Sequence, residues 1–191
     1  MLDRLAVRRG HFALESGLHT DRWFALDGLF VEPLALALGV DELAELLRPY
    51  DPSALCGPLL GGAFLAQALA MRMGIRFYFT ERVANADGVP LFSANYRLPH
   101  DVLGRVATER IAVVDDVISA GSSARATIAA LRAARAEVVA VGALVLLGEE
   151  AIAHFESLRL PLVAVERDAL ELWTPSECPL CRDGHALEAP S

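Results

Sequence analysis

Residues 110–123 have the sequence Arg-Ile-Ala-Val-Val-Asp-Asp-Val-Ile-Ser-Ala-Gly-Ser-Ser, and this stretch decides the fold. Its apolar run at 111–114 is typical of a strand that is covered on both faces, as in a parallel sheet. Asp115 and Asp116 end the run, and a turn around Gly121 leads into an Ala-rich helix. Amides at the start of a helix favour an anion. The stretch therefore predicts a site for a phosphorylated sugar, with phosphate on the turn and the acids facing the sugar hydroxyls, directly or through a divalent cation and its waters.

A simpler explanation exists for part of this pattern. An Asp-Asp pair followed by a Ser/Gly turn also arises when these residues only cap a helix, since Ser and Asp are good N-caps. The complete arrangement of apolar run, two acids, Ser/Gly turn and helix is more specific than the acids alone. We therefore interpret it as a binding motif. A strand before the acids and a helix after the turn would confirm that interpretation.

Composition limits the classes of protein to which the chain can belong. Its 191 residues predict a single domain with room for a core. It has no apolar run near the roughly 18 residues of a membrane span and its N-terminus has no signal-peptide core, so we expect a cytoplasmic protein without a membrane partner. The net charge of −8 argues against nucleic-acid binding. All 17 basic residues are Arg, so no lysine amine is available for catalysis.

Beyond residue 50, short apolar runs alternate with helical segments, which predicts an α/β fold with a parallel sheet. The predicted strands are 54–57, 75–80, 110–115, 138–146 and 160–166, with an edge strand at 96–98, and the predicted helices are 34–48, 63–73 and 124–134. Two short strands are predicted at 11–17 and 23–30. We expect segments 1–33 and 168–191 to form a small hood over the 50–167 core, at the sheet edge where ligands bind in such folds.

A second turn joins a predicted strand to a helix one βαβ unit before the acidic pair. Residues 57–62 are Gly-Pro-Leu-Leu-Gly-Gly, and glycines with free amides at such a turn can hold a phosphate group. A purely structural strand–helix turn explains the same residues equally well.

The cysteines and histidines leave alternatives open. Cys56 lies in an apolar strand and is interpreted as inert core. The motif Cys178-Pro-Leu-Cys181 precedes His185, and these three residues are one ligand too few for a four-ligand zinc site. A reduced or redox-sensitive pair is therefore the preferred interpretation.

His11 and His19 are predicted at the surface of the hood, with contact to a substrate base as the alternative. His100 is predicted to be solvent-exposed.

The chain resembles a known family along essentially its whole length. Residues 110–123 resemble the phosphoribosyl-pyrophosphate (PRPP) signature of type I phosphoribosyltransferases. Residues 12–23 are similar to the Ser-Gly-x-x-Ser-x-x-Tyr segment of orotate phosphoribosyltransferases, with Thr20 and Trp23 at the Ser and Tyr positions. Residues 77–82 resemble the strand before the family's mobile loop, and the tail from Trp173 resembles some bacterial members.

The resemblance implies the type I phosphoribosyltransferase fold, a parallel sheet flanked by helices with a hood built from both ends of the chain. It implies a pentosyltransferase that moves 5-phosphoribose from PRPP to a nitrogenous base, most directly orotate in pyrimidine synthesis, and releases pyrophosphate. Mg²⁺ is the implied cofactor, held mainly by PRPP and through water by Asp115 and Asp116. A homodimer is the implied assembly.

The resemblance also assigns roles to residues of this chain. Asp115 and Asp116 contact the ribose, and Arg82 supplies charge for pyrophosphate, with Arg97 as the second candidate. The implied 5-phosphate loop consists of Ser119, Ala120, Gly121, Ser122 and Ser123, and the implied pyrophosphate turn consists of Leu59, Leu60 and Gly61. The hood segment 16–22 is expected to lie over the base.

Three departures from the family pattern keep other functions open. The region of the mobile loop has no lysine and offers Arg82, Arg97 and Arg105. Leu146-Leu147 occupies the position of the family's Asp-Arg pair, whose Arg helps to grip the orotate carboxylate. Ser119 replaces a commoner Thr. A carboxylate facing Leu lacks a charge-assisted partner. The alternatives are a non-catalytic regulator of the same fold that binds PRPP or a nucleotide, and a transferase for a purine or another base.

Overall fold

The computed structural model describes residues 6–14, 16–25, 27–31, 33–83 and 95–189. Its strands are β1 (Ala6–Ala13), β2 (His19–Ala25), β3 (Ala54–Pro58), β4 (Arg76–Arg82), β5 (Tyr96–Arg97), β6 (Arg110–Ile118), β7 (Glu137–Leu147) and β8 (Leu162–Asp168). Its α-helices are α1 (Asp27–Val31), α2 (Pro33–Leu47), α3 (Gly61–Met73), α4 (Leu103–Val106), α5 (Ser122–Ala133), α6 (Glu150–Ser157) and α7 (Pro179–Arg182). In the described part of the chain, no helix is both long and apolar enough to cross a membrane.

Six strands form the central sheet in the order β5-β4-β3-β6-β7-β8. All neighbours are parallel except the edge strand β5, which is antiparallel to β4. One apolar core packs α2 and α3 against one face of the sheet, and a second core packs α5 and α6 against the other. Burial on both faces explains why residues 111–114 are uniformly apolar. The predicted α/β fold is confirmed.

Strand β6 is longer than predicted, and the extension positions the acids. The predicted end at Asp115 is wrong, because pairing with β7 continues through Ile118. On its other side β6 pairs with β3 only up to Val113. Asp115 and Asp116 therefore lie on a stretch of β6 that pairs with β7 but no longer with β3, next to the turn that follows β3.

The N-terminal hairpin begins earlier in the sequence than predicted. The predicted pair of short strands is present, but the bounds 11–17 and 23–30 are wrong: β1 and β2 lie before and after a turn at Gly17, whose φ of 82° suits glycine. Residues 27–31 form α1. The hairpin contacts the C-terminal segment, because the backbones of His19 and Trp173 exchange two hydrogen bonds of 2.8 and 3.0 Å. The Glu188 N–H also donates to the His11 carbonyl at 2.7 Å. Residues 84–94, which follow the strand that resembles the one before the family's mobile loop, lie outside the described residues.

Candidate active site

A cavity of about 260 Å³ lies at the carboxyl ends of β3 and β6. It is lined by the turn after β3, by β6 with the start of α5 and by the hood, together with Tyr96 of β5 and Leu147 of β7. The lining includes Leu14, Ser16, Arg22, Trp23, Phe24, Leu59, Leu60, Gly61, Gly62, Asp115, Asp116, Ser119, Gly121, Ser122, Ser123 and Leu170. The two predicted phosphate-binding turns and the acidic pair therefore share one cavity.

The acidic pair is held by hydrogen bonds and by burial. Asp115 is 5% exposed. The Ser123 hydroxyl donates to Asp115 Oδ2 at 2.6 Å, and the Asp116 N–H donates to Asp115 Oδ1 at 3.2 Å. Burial raises the pKa of Asp115 well above its ordinary value, and the neighbouring carboxylate of Asp116 raises it further. Such a pair favours a ligand that brings hydroxyl donors or positive charge.

The turn after β3 touches the acidic pair directly. A Cβ added to Gly61 would lie 2.5 Å from Asp116 Oδ2, and one added to Gly62 would lie 2.5 Å from Asp115 Oδ1. No side chain larger than hydrogen fits at either position without displacing a carboxylate. The Leu59 N–H donates to the Thr80 carbonyl at 2.9 Å, which ties the turn to β4, and the Leu59–Leu60 peptide bond is cis.

The predicted 5-phosphate loop lies at the start of α5. Gly121 has a φ of 75° and precedes Ser122, the first residue of the helix. Ser119, Gly121, Ser122 and Ser123 line the cavity, whereas Ala120 lines a neighbouring surface groove. No side chain caps the N-terminus of α5 within the described residues. The amides of its first turn therefore remain available as donors beside the cavity.

The hood supplies the opposite wall of the cavity. Trp23 and Phe24 of β2 provide aromatic surface there, and Arg22 is the one cationic side chain among the described lining residues. Arg22 Nη2 lies 2.9 Å from Asp168 Oδ1. Sequence reasoning expected the segment 16–22 at the base but did not single out Arg22 as a lining charge. Its partner is 146 residues away, so no local pattern marks it.

Two predicted site residues are not brought to the cavity. Arg82 is paired with Tyr96 where β4 meets β5, and Arg97 is an exposed residue whose Nε lies 3.5 Å from Glu81 Oε2. Neither residue lines the cavity in the part of the chain that the structure describes. Their assignment to pyrophosphate stays a prediction, because residues 84–94 between them lie outside the description.

The histidine predictions for the hood are wrong. His11 and His19 are 3% and 5% exposed, and they lie beside Cys178 and Cys181 in a compact cluster. The His185 side chain is exposed and outside that cluster. The error has a simple cause: the hairpin and the C-terminal motif meet only in the folded chain.

Two other predictions of this kind are confirmed. His100 is exposed. Cys56 is buried, and burial raises the pKa of its thiol, in agreement with an inert core residue.

Comparison with known proteins identifies the family. Residues 34–156 match the family described as the phosphoribosyl transferase domain. The chain belongs to the phosphoribosyltransferase family. An orotate phosphoribosyltransferase from Thermotoga petrophila is 32% identical over 185 residues, which cover 97% of this chain and 91% of the relative. The predicted family membership is therefore confirmed.

Solved structures support the same fold. The orotate phosphoribosyltransferase of Aeropyrum pernix superposes with a TM-score of 0.67 and 26% identity, covering 85% of this chain and 88% of that one. The Mycobacterium tuberculosis orotate phosphoribosyltransferase in complex with PRPP has a TM-score of 0.59 and 23% identity, covering 76% and 80%. The second comparison concerns the fold alone.

Proposed function

We propose that this chain is a pentosyltransferase that joins the 5-phosphoribosyl group of PRPP to orotate and releases pyrophosphate. The observation that supports this most is that Asp115 and Asp116 line one cavity together with the two turns predicted to bind phosphate. The relatives named above support orotate as the base, since the similarity extends over nearly the whole chain.

PRPP has three parts, and the cavity offers a separate partner for each. The 5-phosphate is assigned to the loop 119–123 and the first turn of α5, where amides and Ser hydroxyls are donors. The ribose hydroxyls are assigned to the carboxylates of Asp115 and Asp116. The diphosphate is assigned to the turn at 59–61, whose glycine lies against the acidic pair. With this assignment, the anomeric carbon would lie beside both the acids and the turn after β3.

The donor set fits the implied Mg²⁺. Mg²⁺ takes oxygen ligands, keeps several waters and binds through one or two carboxylates together with substrate phosphates. The carboxylates of Asp115 and Asp116 are the residues that would hold its waters beside the diphosphate. Bound there, the cation would neutralise the charge of the departing pyrophosphate.

The residues of the chain then act mainly by position and charge. Positive charge develops at the anomeric carbon as pyrophosphate leaves, and the two carboxylates stabilise it without reorganisation because Ser123 and the backbone already orient Asp115. The hood wall of Trp23 and Phe24 excludes water and holds the base against that carbon. Catalysis of this kind needs no lysine amine.

The base side of the cavity combines flat apolar surface with one charge. Trp23 and Phe24 offer faces for a planar ring, and Leu147 and Leu170 complete the wall. Leu147 occupies the position where the family has Arg, so we assign the carboxylate of orotate to Arg22, the described lining cation. Arg22 also forms an ion pair with Asp168, so we expect it to contribute modestly to the affinity for orotate.

We also propose that the chain forms a homodimer. Helices α1, α2 and α3 contact one another and expose large apolar side chains: Val31, Leu34, Leu38, Phe64 and Met71 are 75, 87, 66, 49 and 80% exposed. Several large exposed apolar side chains on neighbouring helices fit a protein contact. Light scattering after gel filtration tests the assignment, with Leu34→Glu plus Leu38→Glu expected to yield a monomer. A monomeric wild type would contradict it.

A base panel tests the proposed reaction. Pyrophosphate release is measured at saturating PRPP and Mg²⁺ with orotate, uracil, adenine and guanine, one base at a time. We expect turnover with orotate. Turnover with adenine or uracil but not orotate would overturn the choice of base. PRPP binding without turnover on any base would replace the enzyme with a regulator of the same fold.

A further inference from the structure

We propose that His11, His19, Cys178 and Cys181 form a structural zinc site that fastens the N-terminal hairpin to the C-terminal segment. His11 belongs to β1 and His19 begins β2, while Cys178 and Cys181 lie at the start and within α7. One donor atom of each residue lies within 4.8 Å of the donor atoms of the other three. The site is separate from the cavity that contains Asp115 and Asp116.

The distances between the donor atoms match a tetrahedron around zinc. Zinc lies about 2.0–2.1 Å from a histidine nitrogen and about 2.3 Å from a thiolate, so a regular tetrahedron separates two nitrogens by about 3.3 Å and a nitrogen from a sulfur by about 3.6 Å. His11 Nε2 lies 3.0 Å from His19 Nδ1. Cys178 Sγ and Cys181 Sγ lie 3.4 and 3.7 Å from His11 Nε2, and Cys181 Sγ lies 3.3 Å from His19 Nδ1.

A backbone contact prepares His11 as a ligand. His11 Nδ1 lies 2.8 Å from the His185 carbonyl oxygen, which can only accept a hydrogen bond. Nδ1 therefore has the proton, and the lone pair of the neutral ring is on Nε2, the atom that faces the cluster. Zinc-binding histidines commonly donate their other ring N–H to a carbonyl in this manner.

The chemistry of the four ligands favours zinc among divalent metals. Two thiolates and two imidazoles in a tetrahedral arrangement are typical of zinc, and the spacing Cys-x-x-Cys supplies two ligands from one turn. Three of the four residues are buried. Burying two imidazoles and a thiol against one another costs free energy unless they share a partner, and a metal ion meets that requirement.

The site also bears on the proposed function, although it does not depend on it. Arg22, Trp23 and Phe24 follow His19 along β2 and form the hood wall of the cavity. The metal would hold one end of that strand against the segment after Trp173, to which His19 is already hydrogen-bonded. We infer that zinc fixes the wall over the base without touching any substrate.

Zinc content and cobalt spectra test the proposal on the full chain, after removal of any polyhistidine tag. We expect one zinc per chain by mass spectrometry of the metal. Titration of the reduced, metal-free chain with Co²⁺ is expected to give the visible bands of tetrahedral cobalt together with a thiolate charge-transfer band. No bound zinc together with no charge-transfer band would overturn the proposal, as would a Cys178–Cys181 disulfide in the freshly purified chain.

Variants identify the ligands. We expect Cys181→Ser and His19→Gln to weaken zinc binding by more than the roughly 10–100-fold that loss of a second-shell partner costs. His185→Asn is the matched control, because only its backbone carbonyl contacts the cluster, and its affinity should equal that of wild type. Equal loss in His185→Asn and His19→Gln would instead assign the ligand to His185 and refute the site as drawn.

A measurement on the unaltered chain covers the case in which a variant fails to fold. Cys181 is exposed and Cys56 is buried, so alkylation followed by peptide mapping distinguishes them. With zinc present, Cys181 should resist iodoacetamide, and a chelator should restore its reaction while Cys56 stays unmodified. Equal alkylation of Cys181 with and without zinc would contradict the proposal.

Discussion

The two walls of the cavity are built in different ways. The phosphate and ribose wall comes from two segments, 57–62 and 110–123, each of which is a strand, a turn and the start of a helix attached to the central sheet. The base wall comes from the hood, where the hairpin β1–β2 meets residues near Asp168 and Trp173 from the other end of the chain. One wall depends on local sequence, and the other depends on contacts between distant segments.

The difference has a physical consequence for how each wall is held. Backbone hydrogen bonds of the parallel sheet and the close packing of Gly61 and Gly62 on the acids fix the first wall. The second wall rests on a two-stranded sheet, which is marginal by itself, and on a few polar contacts with the C-terminal segment. We therefore expect substitutions in the first wall to abolish PRPP binding, and changes in the second wall to alter affinity for the base.

The largest effect is expected from the acidic pair. Asp115→Asn with Asp116→Asn removes the groups assigned to the ribose and the metal waters, and kcat/KM should fall by roughly 10³-fold or more. Calorimetric titration with PRPP and Mg²⁺ should detect no binding, and circular dichroism should show an intact fold. Glu149→Gln with Glu150→Gln is the matched control, an exposed acidic pair that should be neutral. Unchanged PRPP affinity in the Asp variant would refute the assigned role.

A smaller but still large effect is expected at Gly61. Gly61→Ala places a Cβ 2.5 Å from Asp116 Oδ2, which must displace either the carboxylate or the turn. A misplacement of that size costs about 10²-fold in rate, measured as kcat/KM for PRPP. Gly104→Ala is the control, since nothing lies within 4 Å of its added Cβ. Equal activity of the two variants would show that the turn and the acids are not coupled.

The first wall is the part of the site that sequence predicts well. The run at 111–114, the acids and the Ser/Gly turn are contiguous, so the chain itself sets their relative positions, and helix α5 begins where the turn ends. The same reasoning misplaced the end of β6, because the length of a strand depends on its neighbour: β7 extends far enough to pair with Ile118, whereas pairing with β3 ends at Val113.

The hood could not be predicted to the same depth. His11 and His19 resemble surface histidines as long as only their own strands are considered, and Cys178-x-x-Cys181 lacks ligands as long as only its own turn is considered. Their meeting depends on how two chain ends pack, with His19 and Cys181 separated by 162 residues. The one sequence signal is a count of ligands. The cysteine pair supplies two of the four ligands of a zinc site, and the chain has two histidines close together near its N-terminus.

Removal of the hood metal should affect the base more than PRPP. Because β2 begins at His19 and continues into the cavity wall, loss of zinc should raise KM for the base by about 10-fold, through loss of orientation rather than of contacts. KM for PRPP should stay within about 2-fold, as its partners lie on the sheet. Steady-state kinetics of the chelator-treated chain, with zinc restored as the control, measure both. Equal increases in KM for the base and in KM for PRPP would show that the two walls are not independent.

Arg22 offers a finer test of the base wall. Arg22→Gln should raise KM for orotate about 5-fold, because it removes a charge-assisted hydrogen bond. The effect is no larger because Arg22 also pairs with Asp168. Activity with a neutral base such as uracil, where detectable, should not change. Asp168→Asn is the complementary variant, because it leaves the guanidinium in place and removes its competing partner, so KM for orotate should not rise. Equal losses on both bases would mean that Arg22 only supports the wall.

The smallest expected effect is on stability and belongs to the first wall. The pKa of Asp115 is raised in the folded chain, so its contribution to stability is complete below the unfolded value near 3.9 and is lost as pH rises through the folded value. Asp116→Asn removes the neighbouring charge and should reduce that loss.

Urea unfolding of the metal-free, ligand-free chain between pH 4 and 8 measures this effect. The free energy of unfolding of the variant should equal that of wild type at the acid end and exceed it at pH 7. The control is Glu150→Gln, which removes an exposed carboxylate. Its free energy of unfolding should differ from that of wild type by the same amount at every pH. A variant that is less stable than wild type at pH 7 would mean that Asp116 supports the fold. The expected result means instead that the first wall retains a repulsion between two carboxylates, which sugar hydroxyls or a cation can offset.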